Sequence, residues 1–270
     1  MEKDPNSSRL RESWASGEAY EAYVGRWSRL YARQFLSWLD VPTGSAWLDV
    51  GCGTGALTSA ILESAAPREV KGIDASDAHI AFVQEKVKDA RASFQTGNAQ
   101  ALPVKTGAYD AVVSGFVLNF IPDLDRAAAE MARVTAPGGC VAAYVWDYAS
   151  RMQFMRHFWN AAAALDPSAA DLDEGRRFSI CNPEPLAELF TGSGLNNVDV
   201  QPIDMWTVFK DFDDYWLPFL GGQGTAPTYT MSLSEQHRGA LRERLHISLP
   251  SAVDGSIPLM SRAWAVKGMR

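Results

Sequence analysis

The stretch WLDVGCGTGAL, residues 47–57, decides the fold of this 270-residue chain. Apolar residues over 46–50 predict a short buried strand, three glycines at alternate positions predict a turn, and the apolar residues from Ala56 onward predict a helix. A glycine loop between a strand and a helix exposes backbone N–H groups and the positive end of the helix dipole. Nucleotide-like cofactors bind to such loops in open α/β sheets, so we predict a cofactor site at the end of the first strand.

Strands and helix-length segments alternate around this loop. Apolar and aromatic residues at near-helical spacing between Tyr20 and Trp38 predict a helix before the first strand. After the loop, EVKGID predicts a second strand that ends at Asp74, ASFQTGNAQALP a third strand and a turn, YDAVVSGFVLNF a fourth strand and PGGCVAAYVW a fifth. Because strands separated by helices form parallel, right-handed βαβ units, we predict an α/β fold with a doubly wound, mostly parallel sheet.

The alternation stops after Asp147. Residues 148–182 are expected to be helical and irregular, PEPLAELFTGSGL predicts a helix, and NNVDVQPID and PLMSRAWAVKG predict two further strands separated by a long aromatic-rich insertion. We therefore expect a flexible N-terminus over 1–17 and a single domain over 18–270, with helical cap or lid segments at about 148–182 and 205–256.

The composition excludes several classes of function. The chain has 25 Lys and Arg against 32 Asp and Glu, a net charge of −7, and no basic cluster, so we expect no nucleic-acid partner. It has no apolar run long enough to cross a bilayer and no secretion signal, so we expect a cytoplasmic protein with no membrane partner. Cys52, Cys140 and Cys181 match no metal-ligand spacing, and we expect reduced thiols and no metal site.

Two classes of cofactor fit the glycine loop. Gly51, Gly53 and Ala56 satisfy the relaxed G-x-G-x-x-A pattern of dinucleotide sites, and Asp74 lies where a ribose-binding acid belongs. Asp49, however, sets a carboxylate beside any diphosphate on the loop, and like charges repel. S-adenosylmethionine has an ammonium, a sulfonium and a ribose but no phosphate. The residues favour that cofactor and leave open a nicotinamide-dependent oxidoreductase or a non-catalytic cofactor-binding module.

Five motifs together resemble those of the class I S-adenosylmethionine-dependent methyltransferases, in the small-molecule branch that includes the ubiquinone- and menaquinone-biosynthesis enzymes. The resemblance covers residues 18–147 and rests on LDVGCGTG, GID, GNAQALP, YDAVVSGFVLNFIPD and EMARVTAPGGCVAAYVW. One position departs from the family pattern, because Asn98 replaces the acid that commonly binds the adenine amino group. The Asn98 side-chain oxygen can still accept a hydrogen bond from that amine.

The resemblance implies a seven-stranded Rossmann-like sheet with a C-terminal β-hairpin, and the cofactor over the carboxyl ends of the first strands. Glycines of the loop would line the methionine and ribose, Asp74 would bind the ribose hydroxyls, and Asn98 with the Ala99 backbone would bind adenine. The helix before the first strand would close over the cofactor, although its aromatic stripe equally fits ordinary packing. The expected cofactor-binding residues are Tyr23, Arg26, Trp27, Asp49, Gly51, Cys52, Gly53, Asp74, Ala75, Asn98, Ala99, Gly115 and Phe116.

The predicted reaction is methyl transfer from S-adenosylmethionine, by in-line displacement, to a nucleophile on a small and partly apolar acceptor, with S-adenosylhomocysteine as the product. The cofactor already activates the methyl group, so the protein must chiefly align the acceptor and exclude water. Asp147, Tyr148 and His157 follow the fifth strand and are the predicted catalytic residues, with helix capping as the alternative role of Asp147. The chain is expected to be a monomer or a homodimer.

Two further expectations concern side chains outside these motifs. His79 falls in a predicted surface helix and is expected to be solvated. Aromatic residues at 209–219 precede glycines 221, 222 and 224, which suits either an apolar pocket wall beside a lid or ordinary packing of the cap.

Overall fold

The computed structural model describes residues 25–222 and 224–270. Its first half alternates helices and strands: α1 (Arg26–Leu39), β1 (Ala46–Val50), α2 (Ala56–Ser64), β2 (Glu69–Asp74), α3 (Asp77–Lys86), β3 (Ala92–Thr96), β4 (Tyr109–Gly115), α4 (Leu124–Val134) and β5 (Thr135–Trp146). Its second half contains α5 (Gln153–Leu165), α6 (Glu174–Arg177), α7 (Pro183–Gly192), β6 (Asn196–Phe209), α8 (Phe212–Trp216), α9 (Thr225–Ser232), α10 (Glu235–Ser248) and β7 (Ile257–Met269). Short 3₁₀ helices occur at Leu118–Phe120, Pro167–Leu172 and Leu217–Leu220.

The seven strands form one sheet in the order β3-β2-β1-β4-β5-β7-β6. The pairs β1–β2, β1–β4, β2–β3 and β4–β5 are parallel, whereas β5–β7 is antiparallel. This arrangement confirms the predicted doubly wound, mostly parallel sheet. The carboxyl ends of β1 to β5 lie along one edge of the sheet, and β1 and β4 are neighbours although β2 and β3 lie between them in sequence. That reversal of strand order is where ligands bind in open α/β sheets.

The described residues divide into two compact units. The first unit comprises residues 25–147, 178–205 and 261–270, and therefore holds the parallel strands and the predicted cofactor loop. Every residue of β1 is buried, as is usual for a strand covered on both faces. The helix α1 packs a stripe of buried residues at helical spacing into this core: Tyr31, Ala32, Phe35, Leu36 and Leu39.

The second unit comprises residues 148–177, 206–222 and 224–260 and has an aromatic core of its own. Phe158 and Phe219 stack with their ring centroids 4.5 Å apart, and the Tyr215 hydroxyl donates to the Phe154 carbonyl at 2.8 Å. Phe209 packs against Tyr215 with 5.2 Å between the centroids. These aromatic side chains are buried inside the second unit, so internal packing accounts for the aromatic run. The expectation that the unit caps the cofactor site stays a prediction.

Two elements of the second half differ from the sequence expectation. The strand β6 extends five residues beyond the predicted NNVDVQPID, into the segment that the sequence assigned to the aromatic insertion. The helix α10 lies within the helical cap expected over about 205–256, but its bounds were not predicted, because its fourteen residues bury only Leu241 and Leu245 and so give little amphipathic signal. Among the described residues, no helix has both the length and the apolar composition needed to cross a membrane.

Candidate active site

The glycine loop follows β1 and turns sharply over the neighbouring strand. The backbone N–H groups of Gly51 and Cys52 both donate to the Ile73 carbonyl of β2, at 2.7 and 3.1 Å. Gly51 has φ +75°, and a Cβ built on it would lie 2.5 Å from the Val117 side chain. Only glycine combines this conformation with so close an approach. The loop thus brings its backbone against the segment that follows β4.

Asp74, at the end of β2, fastens that loop from the side. Its Oδ2 accepts from Gly53 N at 2.9 Å, and its Oδ1 accepts from Ser76 N at 2.9 Å. Burial favours the neutral acid, but hydrogen bonds from His79, Ser76 and Gly53 outweigh it and hold the pKa of Asp74 below its ordinary value. Asp74 is therefore an ionised acceptor beside the glycine loop, the chemistry expected of a ribose-binding carboxylate.

His79 also contacts Asp74, contrary to its expected place on a solvated surface. Its Nδ1 lies 3.3 Å from Asp74 Oδ1, and only 22% of its side chain is exposed. The expectation was wrong because the helix α3 begins only three residues after β2 ends, which turns its first residues toward the carboxylate. The signal for this contact was present in the spacing of Asp74, the N-cap Ser76 and His79.

Asp49 is buried beneath the loop with 1% of its surface exposed. Thr58 Oγ1 donates to its Oδ2 at 2.6 Å, while its Oδ1 has no hydrogen-bond partner among the described residues. Burial raises the pKa of Asp49 to about 7, against the opposing effect of the Thr58 hydrogen bond. A buried carboxylate oxygen without a partner suits a nearby cation and disfavours an anionic phosphate.

Cys52 and the end of β3 complete this side of the site. Burial raises the pKa of the Cys52 thiol, so the group stays protonated and is no nucleophile. Gly97 N donates to the Asp74 carbonyl at 2.9 Å, which ties the end of β3 to the end of β2. Asn98 is exposed, and its Oδ1 accepts from Gln100 N at 2.9 Å. That oxygen keeps a second lone pair for the predicted adenine contact, beside the partly buried Ala99.

The ends of β4 and β5 bring three aromatic rings together. Phe116 has φ +59°, an unusual conformation for a non-glycine residue, and its ring stacks on Trp146 with 3.8 Å between the centroids. Tyr31 of α1 meets both rings edge-on, with centroids 5.6 and 4.8 Å away. Sequence reasoning gave Tyr31 no role in the site, because only the packing of α1 on the sheet brings it there. Gly115 leaves room for Tyr144, whose hydroxyl would lie 2.5 Å from a Cβ at that position.

Asn119 is a second residue that the sequence reasoning missed. It lies in the 3₁₀ helix that follows β4, is only 8% exposed, and neither polar atom of its amide has a partner among the described residues. Leaving a buried amide without hydrogen bonds costs about 1 to 3 kcal/mol, so such a group is expected to serve a ligand. Its single sequence signal was a polar residue in the apolar run GFVLNF.

The predicted contribution of α1 is only partly described. Tyr23 lies outside the described residues, whereas Arg26 and Trp27 are partly buried in the first turn of the helix. The Arg26 guanidinium carbon lies 4.8 Å from the Trp27 ring centroid. Their predicted role in cofactor binding stays a prediction, as does that of Ala75, which is exposed between Asp74 and Ser76.

The three predicted catalytic residues are divided between the two units. Asp147 is the last residue of the 25–147 segment of the first unit, is 2% exposed, and acts electrostatically on Arg262, which pairs with Asp204. Tyr148 is buried at the start of the second unit. His157 of α5 is also in the second unit, and burial holds its pKa below the ordinary value, so its ring is neutral at pH 7. Their catalytic roles remain predictions.

Comparison with known proteins identifies methyltransferases that are similar to this chain in sequence. Residues 48–143 match the family model of a methyltransferase domain. The demethylmenaquinone methyltransferase of Anoxybacillus flavithermus is 32% identical to this chain over 179 residues, which are 61% of the chain and 75% of that enzyme. The chain belongs to the class I S-adenosylmethionine-dependent methyltransferases. The demethylmenaquinone methyltransferase of Bacillus licheniformis is also similar, with 29% identity over 68% of the chain and 87% of that enzyme.

The fold of this methyltransferase recurs in solved structures. The YcgJ protein of Bacillus subtilis has a TM-score of 0.58 at 18% identity, covering 89% of this chain and 98% of that protein, which shows a shared fold. Membership of this family makes S-adenosylmethionine the methyl donor and S-adenosylhomocysteine the product. The nicotinamide-dependent oxidoreductase is not favoured. Two features fit this donor: the Asp49 oxygen, which has no partner within residues 25–222 and 224–270, and the close-packed Gly51.

Proposed function

We propose that this methyltransferase modifies a small, partly apolar acceptor whose polar group is held by the side chain of Asn119. The buried amide of Asn119, which has no hydrogen-bond partner in the part of the chain that the structure describes, is the observation that carries the proposal. An amide offers one acceptor oxygen and two N–H donors, so it fits a hydroxyl or a carbonyl on the acceptor. Phe116 precedes Asn119 in the sequence, Trp146 follows it, and all three belong to the same unit. The stacked rings of Phe116 and Trp146 supply the apolar surroundings that such an acceptor needs.

In the proposed cofactor site, Asp74 accepts the ribose hydroxyls and the loop over residues 51–55 supports the methionine portion. Asn98 and Ala99 contact the adenine. Asp49 balances the positive charge from below the loop, because its Oδ1 has no other partner among the described residues. Ionised Asp74, fixed beside Gly53, is the strongest support for the ribose contact.

The proposed catalytic contribution of the protein is alignment. When bound, the cofactor supplies a methyl group that is already activated for displacement. Asn119 orients the acceptor, and the aromatic rings exclude water from the approach of the nucleophile. His157, whose neutral ring has a nitrogen that can accept a proton, is the proposed base where the acceptor must lose one, and Asp147 and Tyr148 stay predicted catalytic residues.

Because two similar enzymes are named demethylmenaquinone methyltransferases, reduced demethylmenaquinone is the first acceptor to assay. We further propose that the acceptor is not a nucleic acid, given the net charge of −7 without a basic cluster. The expected absence of a membrane partner stays a prediction. The cytoplasmic location and the monomeric or homodimeric state stay predictions.

The test compares Asn119→Leu with wild type in two measurements, affinity for S-adenosylhomocysteine by titration calorimetry and methyl transfer to a panel of acceptors. Leucine has nearly the shape of asparagine but no polar atoms. We expect unchanged affinity for S-adenosylhomocysteine and about a five- to 150-fold loss of kcat/KM for the acceptor, the loss expected when about 1 to 3 kcal/mol of hydrogen bonding is removed.

Asn160→Leu is the matched control, because Asn160 is exposed on α5 in the second unit. It should leave both measurements at the wild-type values. If Asn119→Leu transfers methyl groups as well as wild type does, the assignment of Asn119 to the acceptor is wrong. If wild type binds no S-adenosylhomocysteine, the cofactor site itself is wrongly assigned.

A further inference from the structure

His79 and Asp74 form a tightly linked corner at the end of β2. Asp74 holds the glycine loop through Gly53 N with one oxygen, and with the other it meets both Ser76 N and the His79 ring. A carboxylate only accepts hydrogen bonds, so the Nδ1 of His79 is the donor in the 3.3 Å contact. The orientation of the carboxylate plane is therefore set in part by the ring.

The helix α3 holds the ring in that position. Ser76 is the N-cap residue, and its hydroxyl accepts from His79 N at 3.3 Å. The side chain of His79 is thus fixed at both ends, by its backbone N–H on the cap and by its ring on Asp74. It is nevertheless 22% exposed, which leaves it open to protons and to a ligand that covers the ribose site.

Among the residues that the structure describes, three carboxylates lie at or near this corner. Asp74 contacts the ring from β2, Asp49 acts on Asp74 from β1, and Asp77 on the same helix accepts from Thr96 of β3. The loop over residues 51–55 and the strand β3 contain no charged residue, and the remaining charges of β2, at Glu69 and Lys71, lie toward the other end of that strand.

We propose that His79 is a positioning residue for the cofactor: its neutral ring orients Asp74 toward the ribose, and its protonation weakens cofactor binding. The inference rests on the proposed ribose contact of Asp74. It adds a pH dependence through protonation of the His79 ring.

Three physical effects act in the same direction. A protonated ring engages the Asp74 carboxylate in a charge-assisted hydrogen bond, which weakens that carboxylate as an acceptor for ribose hydroxyls. A ligand over the ribose site removes water from the ring and disfavours its charged form. The sulfonium of S-adenosylmethionine repels a second cation, an effect that S-adenosylhomocysteine lacks. Affinity should therefore fall as pH falls, and more steeply for S-adenosylmethionine than for S-adenosylhomocysteine.

The experiment measures the affinity of wild type and variants for both ligands between pH 8.5 and 5.5. For wild type we expect affinity to fall about three- to tenfold over this range, because one unit of pKa difference between free and bound protein corresponds to a tenfold change. His79→Asn keeps an N–H donor near the position of Nδ1 but cannot gain a proton. It should bind within about threefold of wild type at pH 8.5 and lose the His79-dependent fall. His79→Ala should bind more weakly at every pH.

Asp49 has a pKa near 7 and titrates in the same range, so the wild-type profile alone does not identify His79. Asp49→Asn should retain the part of the pH dependence of cofactor affinity that His79→Asn removes. His237→Asn, a change at an exposed histidine of α10 in the second unit, should reproduce the wild-type profile. NMR titration of the His79 ring should also give a lower pKa with S-adenosylhomocysteine bound than in the free protein.

The outcomes separate this inference from the proposed function. If wild type binds S-adenosylhomocysteine but His79→Asn keeps the full pH dependence, or the His79 titration is the same with and without ligand, the positioning role is wrong. If wild type binds neither ligand at pH 8.5, the ribose contact of Asp74 fails as well.

Discussion

Gly51→Ala should destabilise the methyltransferase because position 51 combines a left-handed backbone with a crowded surrounding. The φ of +75° costs a non-glycine residue about 1 to 2 kcal/mol. The new Cβ would lie 2.5 and 2.6 Å from the two γ-carbons of Val117. Valine is β-branched and cannot easily rotate away, so overpacking adds about 1 to 3 kcal/mol. The expected loss in free energy of unfolding is about 2 to 5 kcal/mol.

Gly44→Ala is the matched control, because Gly44 has φ +79° but nothing within 4 Å of a Cβ. It carries the backbone cost alone, so its expected loss is about 1 to 2 kcal/mol. Urea unfolding of both variants measures the difference, and the double variant Gly51→Ala with Val117→Ala should recover the overpacking part. Calorimetric titration should show weaker binding of S-adenosylhomocysteine for Gly51→Ala only. Equal destabilisation by the two single alanines would refute the steric reasoning.

Three further predictions concern ionisable groups of the two units. Asp74→Ala should weaken S-adenosylhomocysteine binding by about 1 to 3 kcal/mol in calorimetric titration, the usual loss of a hydrogen bond to a charged group, and unchanged affinity would contradict the ribose contact. Burial raises the pKa of Asp49 from 3.8 to about 7, so the folded protein binds more protons than the unfolded chain between these values and loses stability as pH rises through them. The free energy of unfolding of Asp49→Asn minus that of wild type, measured in urea, should therefore be larger at pH 8 than at pH 4. The increase should be at most about 4 kcal/mol. His157→Ala should lower kcat by well under 100-fold if alignment dominates, whereas a thousandfold loss with a missing pH limb would indicate a general base.

Local sequence determined the first half of the fold and the position of the glycine loop. The strand at 46–50, the helix that follows it and the end of β2 at Asp74 occur where the pattern predicts them. These features depend on hydrophobic periodicity and on the glycines that mark turns. Both signals act within a few residues and are visible in any single sequence. The parallel sheet follows from the alternation of such elements, because right-handed crossovers leave few other arrangements.

The secondary structure of the second half of the chain was harder to predict from the sequence. The helix α10 buries two residues only, and β6 continues through residues that the aromatic composition assigned to an insertion. Aromatic side chains are large apolar surfaces wherever they occur, so their abundance alone does not distinguish a pocket wall from a core. The contacts of Phe158, Phe219 and Tyr215 place these rings in the core of the second unit, and the role of that unit as a lid stays a prediction.

Tertiary structure alone decided which side chains meet at the site. The sequence by itself determined that a carboxylate ends β2 and that glycines follow β1, but not that Asp74 accepts from Gly53, 21 residues away. Nor did it reveal that the Tyr31 and Ser261 hydroxyls, 230 residues apart in sequence, share a hydrogen bond. It also did not reveal that the amide of Asn119 is buried without a partner among the described residues. Periodicity specifies which face of an element is buried. The partner of each polar atom depends on the packing of elements distant in sequence, and the low dielectric of the interior makes each such pairing matter.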